Sequence, residues 1–358
     1  MNAIFFPRKD YDVEICAHRL GKQMTYTDQT DGYNVQYGYV NTFSAYMQLA
    51  KARNIRVGCF MGLSTPVNDV GGLIMADYKN NRLWLDAYSY TTELAPKITT
   101  GQTITEQEWN NAYNNTLLPN FYNFLSKKPV ALSYSYGNDS FKNYVIPKLL
   151  CARNSGKNTE TDYGVGYGNP STLPYSIDRF KSKQSTTRWY DSARENNDQF
   201  AEQLQIQSAL IDATLQNGGW LNNFTHWHNY WQNGNEQWVE PYLNLLQSKN
   251  ANNQIYFSGY GEAVAYLVFR QIITRAVMYS PVQHPSSQLI IRLETNNNLG
   301  IDTDLLQTPI SIKFTLVGTP LAGMNIRSNR PLYPLGNDDY IVEIPFGQFP
   351  YAFIEKIR

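Results

Sequence analysis

FSAYMQLAKARNIRVGCF, residues 43–60, changes its period halfway along. FSAYMQLAKAR (43–53) carries its apolar side chains at helical spacing. IRVGCF (55–60) is a short apolar, β-branched run, the mark of a strand covered on both faces. VEICAH (13–18) has the same texture upstream, so a strand, a helix and a strand follow one another. The order then repeats. Thr105 followed by Glu108 forms a capping box, and Trp109, Leu117, Leu118, Phe121, Phe124 and Leu125 lie on one helical stripe behind it. PVALSYSYG (129–137) reads as a strand ending at glycine, and residues 191–219 as the longest helix, closed by glycines. WLNNFTH (220–226) is a strand, 235–249 a helix, IYFSG (255–259) a strand, and GEAVAYLVFRQIITRA (261–276) a helix. Repeated strand-then-helix order implies a parallel sheet, open or closed into a barrel. The Gly-, Ser-, Thr- and Asn-rich stretch 154–187 reads as a long surface loop, and its YGVGYGN lacks the lysine and the following helix of a phosphate loop.

SPVQHPSSQ (280–288) breaks the pattern with two prolines and three serines. Beyond it LIIRLET, ISIKFTLVG, YIVEIPF and AFIEKI alternate apolar and polar residues between turn residues, the texture of a small antiparallel β-sandwich. The expected domains are therefore 1–280 and 281–358.

Composition narrows the function. Lys+Arg and Asp+Glu balance at 30 each, so no net field draws the chain to DNA or anionic lipid, and no basic run interleaved with aromatics appears. Nucleic acid is set aside as a partner. Charged residues make up only 17%, against about 25% in an ordinary soluble domain. Asn, Gln, Tyr and Ser carry the surface instead. No apolar stretch approaches the ~18 residues of a membrane span, and MNAIFFPRKD is not a secretory signal. Localisation stays open between cell surface, secreted and virion-associated. Cys16, Cys59 and Cys151 have no metal-ligand spacing and read as buried free thiols.

Chemistry in a parallel α/β fold sits at the carboxyl ends of strands. Four such ends carry unusual polar residues: MTYTDQTDGY (24–33), LWLDAYSY (83–90), LSYSYGN (132–138) and FTHWHN (224–229). In order and spacing these stretches resemble the motifs of the polysaccharide deacetylases. That resemblance implies a distorted (β/α) barrel that removes acetyl groups from N-acetylated sugars with a divalent metal. It places Asp31 at the metal-ligand aspartate and Thr30 at the catalytic-base aspartate. Asp86 and Tyr90 take the two metal-histidine positions, and Ser135, Tyr136 and Gly137 the third motif. Arg153 stands where many members carry an arginine, and His226 takes the place of the histidine that protonates the leaving amine.

The departures are chemical. Asp31, Asp86 and Tyr90 make an oxygen-only metal set, poor for zinc and tolerable for calcium or magnesium, so the identity of any divalent metal, and its presence, stays open. Thr30 is no base near neutral pH; Asp28 serves in its place if the strand end bulges. His226 and His228 share a face if the strand continues through them, yet a hydrogen-bonded strand-end histidine and a loop histidine fit the same residues. The aspartates also suit plain turns. Tyr134, Tyr136, Trp220 and Trp227, with Arg153, are the expected substrate contacts, since flat rings with polar edges stack on sugar C–H faces. Tyrosine equally suits ordinary sheet surface. Two functions remain in view: a metal-assisted glycan deacetylase, with polysaccharide or oligosaccharide as partner, or a glycan-binding, structural or assembly module without turnover, as on a viral particle or cell surface. The second leaves room for oligomeric and assembly partners.

Overall fold

The computed structural model describes residues 9–33, 39–61, 77–80, 82–135, 138–145, 147–153, 182–186, 197–225, 239–297, 300–347 and 350–357. In chain order they form β1 (Asp10–Tyr11), β2 (Val13–Ile15), β3 (Met24–Tyr33), α1 (Tyr39–Ala52), β4 (Val57–Met61), β5 (Leu83–Tyr88) and α2 (Ala95–Thr99). Next, α3 (Glu106–Ala112) runs through a π-helical turn, Tyr113–Leu117, into α4 (Leu118–Leu125). Then come β6 (Ala131–Ser133), α5 (Lys142–Val145), β7 (Cys151–Arg153), β8 (Ser182–Thr186), α6 (Asn197–Asn217), β9 (Trp220–Thr225), α7 (Val239–Lys249), β10 (Ile255–Ser258) and α8 (Tyr260–Ile272). Antiparallel strands finish the chain: β11 (Ile273–Tyr279), β12 (Gln288–Thr295), β13 (Ile310–Thr315), β14 (Ile326–Ser328), β15 (Leu332–Gly336), β16 (Asp339–Ile344) and β17 (Tyr351–Lys356).

Backbone contacts group these elements into two compact units, Gln23–Ala265 and Met1–Lys22 with Tyr266–Arg358. The first holds an eight-stranded sheet in the order β7-β6-β5-β4-β3-β9-β8, with β10 beside β3. Every pairing in it is parallel. Among the described residues this sheet does not close into the expected barrel. β9 takes one whole edge of β3, pairing Thr25 through Thr30. On the other edge β10 reaches only Met24–Thr27 before β4 takes over from Gln29. β7 and β8 end the order and do not pair with each other.

Alternation gives the sheet two distinct faces. Met24, Tyr26, Val57, Cys59, Leu83, Leu85, Leu132, Leu221, Ile255 and Phe257 join one core with Tyr46 and Met47 of α1, Trp109 of α3, Phe121 of α4, and Tyr242 and Leu246 of α7. The residues between them, Phe60, Trp84, Asp86, Asn222 and Ser258, are also buried and face the other way. A sheet covered on both sides explains why its strands read as apolar runs.

The second unit contains two antiparallel sheets, β1-β11-β12-β17-β14 and β15-β16-β13-β2. VEICAH therefore belongs here rather than in the parallel sheet: Val13–Ile15 pairs antiparallel with Ile312–Phe314. The expected boundary at 280/281 falls between β11 and β12, which pair along most of their length. The helix read over 261–276 stops at Ile272, where Ile273–Tyr279 turns to strand. Ser182–Thr186, read as loop, pairs parallel with β9.

Candidate functional site at the carboxyl edge of the parallel sheet

Because β6, β5, β4, β3 and β9 are neighbours and parallel, their carboxyl ends form one edge. The strands that lead into all four polar stretches end on it. Thr30 pairs with Cys59 on one side and with Thr225, the residue before His226, on the other. Asp31, Phe60 and Asp86 stand in one row across three strands. The β5 and β6 ends are bonded directly. Ser89 N–H donates to the Ser133 carbonyl at 3.0 Å, Ser135 N–H to Ser89 Oγ at 2.8 Å, and Ser89 Oγ to Ser135 Oγ at 3.0 Å. Both serines are fully buried. Tyr88 and Tyr90, half-buried at this end, stack with centroids 6.4 Å apart and planes 30° apart. Tyr136, His226, His228 and Trp227 lie outside the described residues, as do the side chains of Thr30, Asp31 and Arg153.

Asp28 is not at the edge. It shares the helix-facing side of β3 with Tyr26 and is fully buried. Tyr46 of α1 donates to its Oδ2. Asn223 Nδ2 of β9 and the Tyr242 hydroxyl of α7 donate to Oδ1, each at 3.0 Å. Behind them Tyr242 lies 2.9 Å from the Tyr26 hydroxyl, which accepts from Gln207 Nε2 of α6 at 2.6 Å. Burial pushes the Asp28 carboxyl up to about 6, against three hydrogen bonds that lower it. A base must reach the proton it abstracts. This carboxylate faces the helices, with its oxygens engaged, so the expected catalytic role of Asp28 gives way to a structural one.

Asp86 faces the opposite side of the sheet and is equally sealed. Its Oδ1 accepts from Trp84 Nε1 at 3.0 Å and from Ala131 N–H at 3.3 Å; its Oδ2 accepts from Gly261 N–H at 2.8 Å. The last bond anchors the first turn of α8, where exposed amides favour a negative charge. Gly261 is needed there: a Cβ would lie 2.2 Å from Asp86 Oδ1. Around it lies an ion cluster that the sequence did not announce. Arg56 pairs with Glu262, which also accepts from Tyr256 at 3.0 Å and Ser258 at 2.9 Å. Lys127 Nζ sits 3.7 Å from the centre of the Trp84 ring. Arg56, inside the run read as a strand, immediately precedes β4, and Lys127 precedes β6; nothing beside either in sequence announces the cluster.

These placements test the oxygen-only metal set. A cation would have to approach lone pairs that already receive three N–H groups, so Asp86 does not fit the ligand role. Tyr90 stands four residues further on, half-buried against the core. Among the described residues no three His, Cys, Asp or Glu side chains are grouped to hold a metal ion.

Two expected sugar contacts are also internal. Tyr134 is 1% exposed, its ring edge-on to Phe141 at 5.2 Å. Trp220 is 3% exposed, packs on Tyr260 at 5.2 Å, and donates from Nε1 to Thr27 Oγ1 at 3.0 Å. Neither has a free face for a pyranose. The edge aromatics that sequence reading left out as sugar contacts are Tyr88 and Tyr90; the period-two alternation of LWLDAYSY, followed past the strand, is the signal that finds them. The three cysteines are buried free thiols, as read.

No family model and no curated protein matches this chain. Among solved structures it is similar to a Mycobacterium smegmatis protein assigned as a polysaccharide deacetylase, at 9% identity and a TM-score of 0.40, covering 74% of this chain and 96% of that one. It is similar to a family 4 carbohydrate esterase of Bacillus subtilis, at 11% identity and a TM-score of 0.36, covering 68% and 80%. A third is the catalytic domain of the peptidoglycan N-acetylglucosamine deacetylase of Eubacterium rectale, at 12% identity and a TM-score of 0.35, covering 69% and 91%. No helix among the described residues is long and apolar enough to cross a membrane.

Proposed function

We propose that this chain is carbohydrate-directed and binds a glycan along the carboxyl edge of its parallel sheet without metal-assisted turnover. The observation that carries the reading is that the four strands leading into the sequence-distant polar stretches end together on that edge, with Ser89 and Ser135 bonded across two of them. The half-buried Tyr88 and Tyr90 supply stacked rings beside it. Such rings pack on sugar C–H faces while their hydroxyls take sugar hydroxyls. A chain with no net charge suits a neutral polymer better than a charged one. Tyr136, Trp227 and Arg153 are proposed as further contacts, and His226 as a polar member of the edge.

Binding without hydrolysis is favoured over deacetylation because the carboxylate meant to share the metal with Asp31 is occupied by the start of α8. The test is calorimetric titration with N-acetylglucosamine oligomers and with a panel of neutral polysaccharides, in chelator, alongside acetate release. Binding that survives chelation and Asp31→Asn, and weakens at least tenfold in a Tyr88→Ala, Tyr90→Ala double variant, supports the reading. Acetate release abolished by Asp31→Asn replaces it with the deacetylase; no binding to any glycan removes it.

A further inference from the structure

Asp28 is a negative charge sealed between sheet and helices, and every group among the described residues that bonds to it is neutral. α1 contributes Tyr46, α7 contributes Tyr242, β9 contributes Asn223, and its own strand carries Tyr26, which Gln207 of α6 supports. No Lys, Arg or His among the described residues acts on it.

The hydrogens can be counted. Asn223 Nδ2 donates one to Asp28 Oδ1 and one to the Tyr242 hydroxyl at 2.7 Å. Tyr242 has a single hydrogen, and it goes to Asp28 Oδ1. Tyr26 must then donate to Tyr242, while accepting from Gln207. Tyr46 supplies Oδ2. A proton on Oδ1 would have to turn the hydrogens of both Tyr242 and Tyr26, because the Asn223 N–H₂ cannot accept it, whereas a proton on Oδ2 reverses a single bond. The Oδ2 position costs less, and there the bond to Tyr46 reverses, with the tyrosine oxygen accepting and its own hydrogen turning away from the carboxyl. The Asn223–Tyr242–Tyr26–Gln207 chain is untouched. The contact that protonation alters is the one between β3 and α1.

We propose that Asp28 makes the seating of α1 on the sheet depend on pH, firm when the carboxyl is neutral and looser when it is ionised. The reason is desolvation. Lifting α1 lets water reach the carboxyl, which relieves an ionised group and gains little for a neutral one. Burial holds the closed-state carboxyl at about 6, against 3.8 for the solvated group. Linkage then makes opening of α1 about tenfold more frequent near pH 7 than near pH 5. α1 follows β3 in sequence, so its seating bears on the chain that leaves the carboxyl edge. The inference does not depend on what that edge binds.

Hydrogen exchange with mass readout on the whole chain tests it, at about pD 5 and pD 7, with rates corrected for intrinsic exchange. The expected result is about tenfold faster corrected exchange at the higher pD in peptides from 39–52, and no such change over 106–125. Asp28→Asn should abolish the difference. Tyr46→Phe removes one donor to the ionised form and should move the midpoint upward, which decides the matter if Asp28→Asn does not fold. Equal responses in 39–52 and 106–125, a response that survives Asp28→Asn, or an unmoved midpoint in Tyr46→Phe overturns the proposal.

Discussion

Truncating Asp86 to alanine strands three donors at once: the Trp84 indole N–H and the backbone N–H groups of Ala131 and Gly261. Each sits in a fully enclosed site, so a loss of about 2–4 kcal/mol is expected in chemical denaturation. Metal content should not change, the opposite of what a ligand would show. Asp28 gives a second residue-scale prediction, with a sign set by its raised carboxyl. A group held higher in the folded state than in the unfolded chain stabilises below the unfolded value and loses that contribution as pH rises through the folded one. For Asp28 the window runs from about 3.8 to about 6. The stability of the wild type relative to Asp28→Asn should therefore fall by about 3 kcal/mol across that window as pH rises. Paired denaturation curves at several pH values check it; a flat difference refutes the burial argument. Both aspartates looked like site residues in the sequence because carboxylates beside strand ends usually face solvent. What one dimension concealed is the partner of each. Gly261 lies 175 positions from Asp86, and Tyr242 lies 214 from Asp28.

At the scale of elements, local chemistry was legible and tertiary context was not. The Thr105–Glu108 capping box forms as read, with the threonine side chain accepting from Glu108 N–H and the glutamate accepting from Thr105 N–H. Thr105→Ala should cost about 1 kcal/mol of stability, measurable by urea titration. A loss below about 0.3 kcal/mol would mean that helix packing alone, through buried Trp109 and Phe121, sets this terminus. The end of α8 shows the other case. VFRQIITRAV has helical periodicity beyond Ile272, yet Ile273–Tyr279 lies between β1 and β12 as a strand. Its β-branched residues tolerate either state, and a partner strand outside the window decides between them. Likewise nothing within Ser182–Thr186, a polar run, announces a strand; its pairing with β9 does.

Across the whole molecule, strand and helix order could be read where the parallel strands β4, β5, β6 and β10 are short, largely buried apolar runs. Closure could not, since it depends on which strand wins the second edge of β3. VEICAH takes a different place from the one its sequence suggests for a related reason: VEI suits either sheet, and only Ile312–Phe314 identifies its place. The role of the N-terminal strands yields a prediction at this scale. β1 and β2 cover edges of β11 and β13. Deleting residues 1–22 should uncover those edges and produce self-association, seen as larger species by size-exclusion with light scattering. A monomer with unchanged melting temperature would show that the two strands are dispensable. The same pairing has a consequence during synthesis. Val13–Ile15 leaves the ribosome well ahead of its partner in β13, which follows about 300 residues later, some 15–60 s at ordinary elongation rates. All eight strands of the parallel sheet lie between them, so the nascent chain can complete one unit while β2 still waits, exposed, for a partner not yet translated.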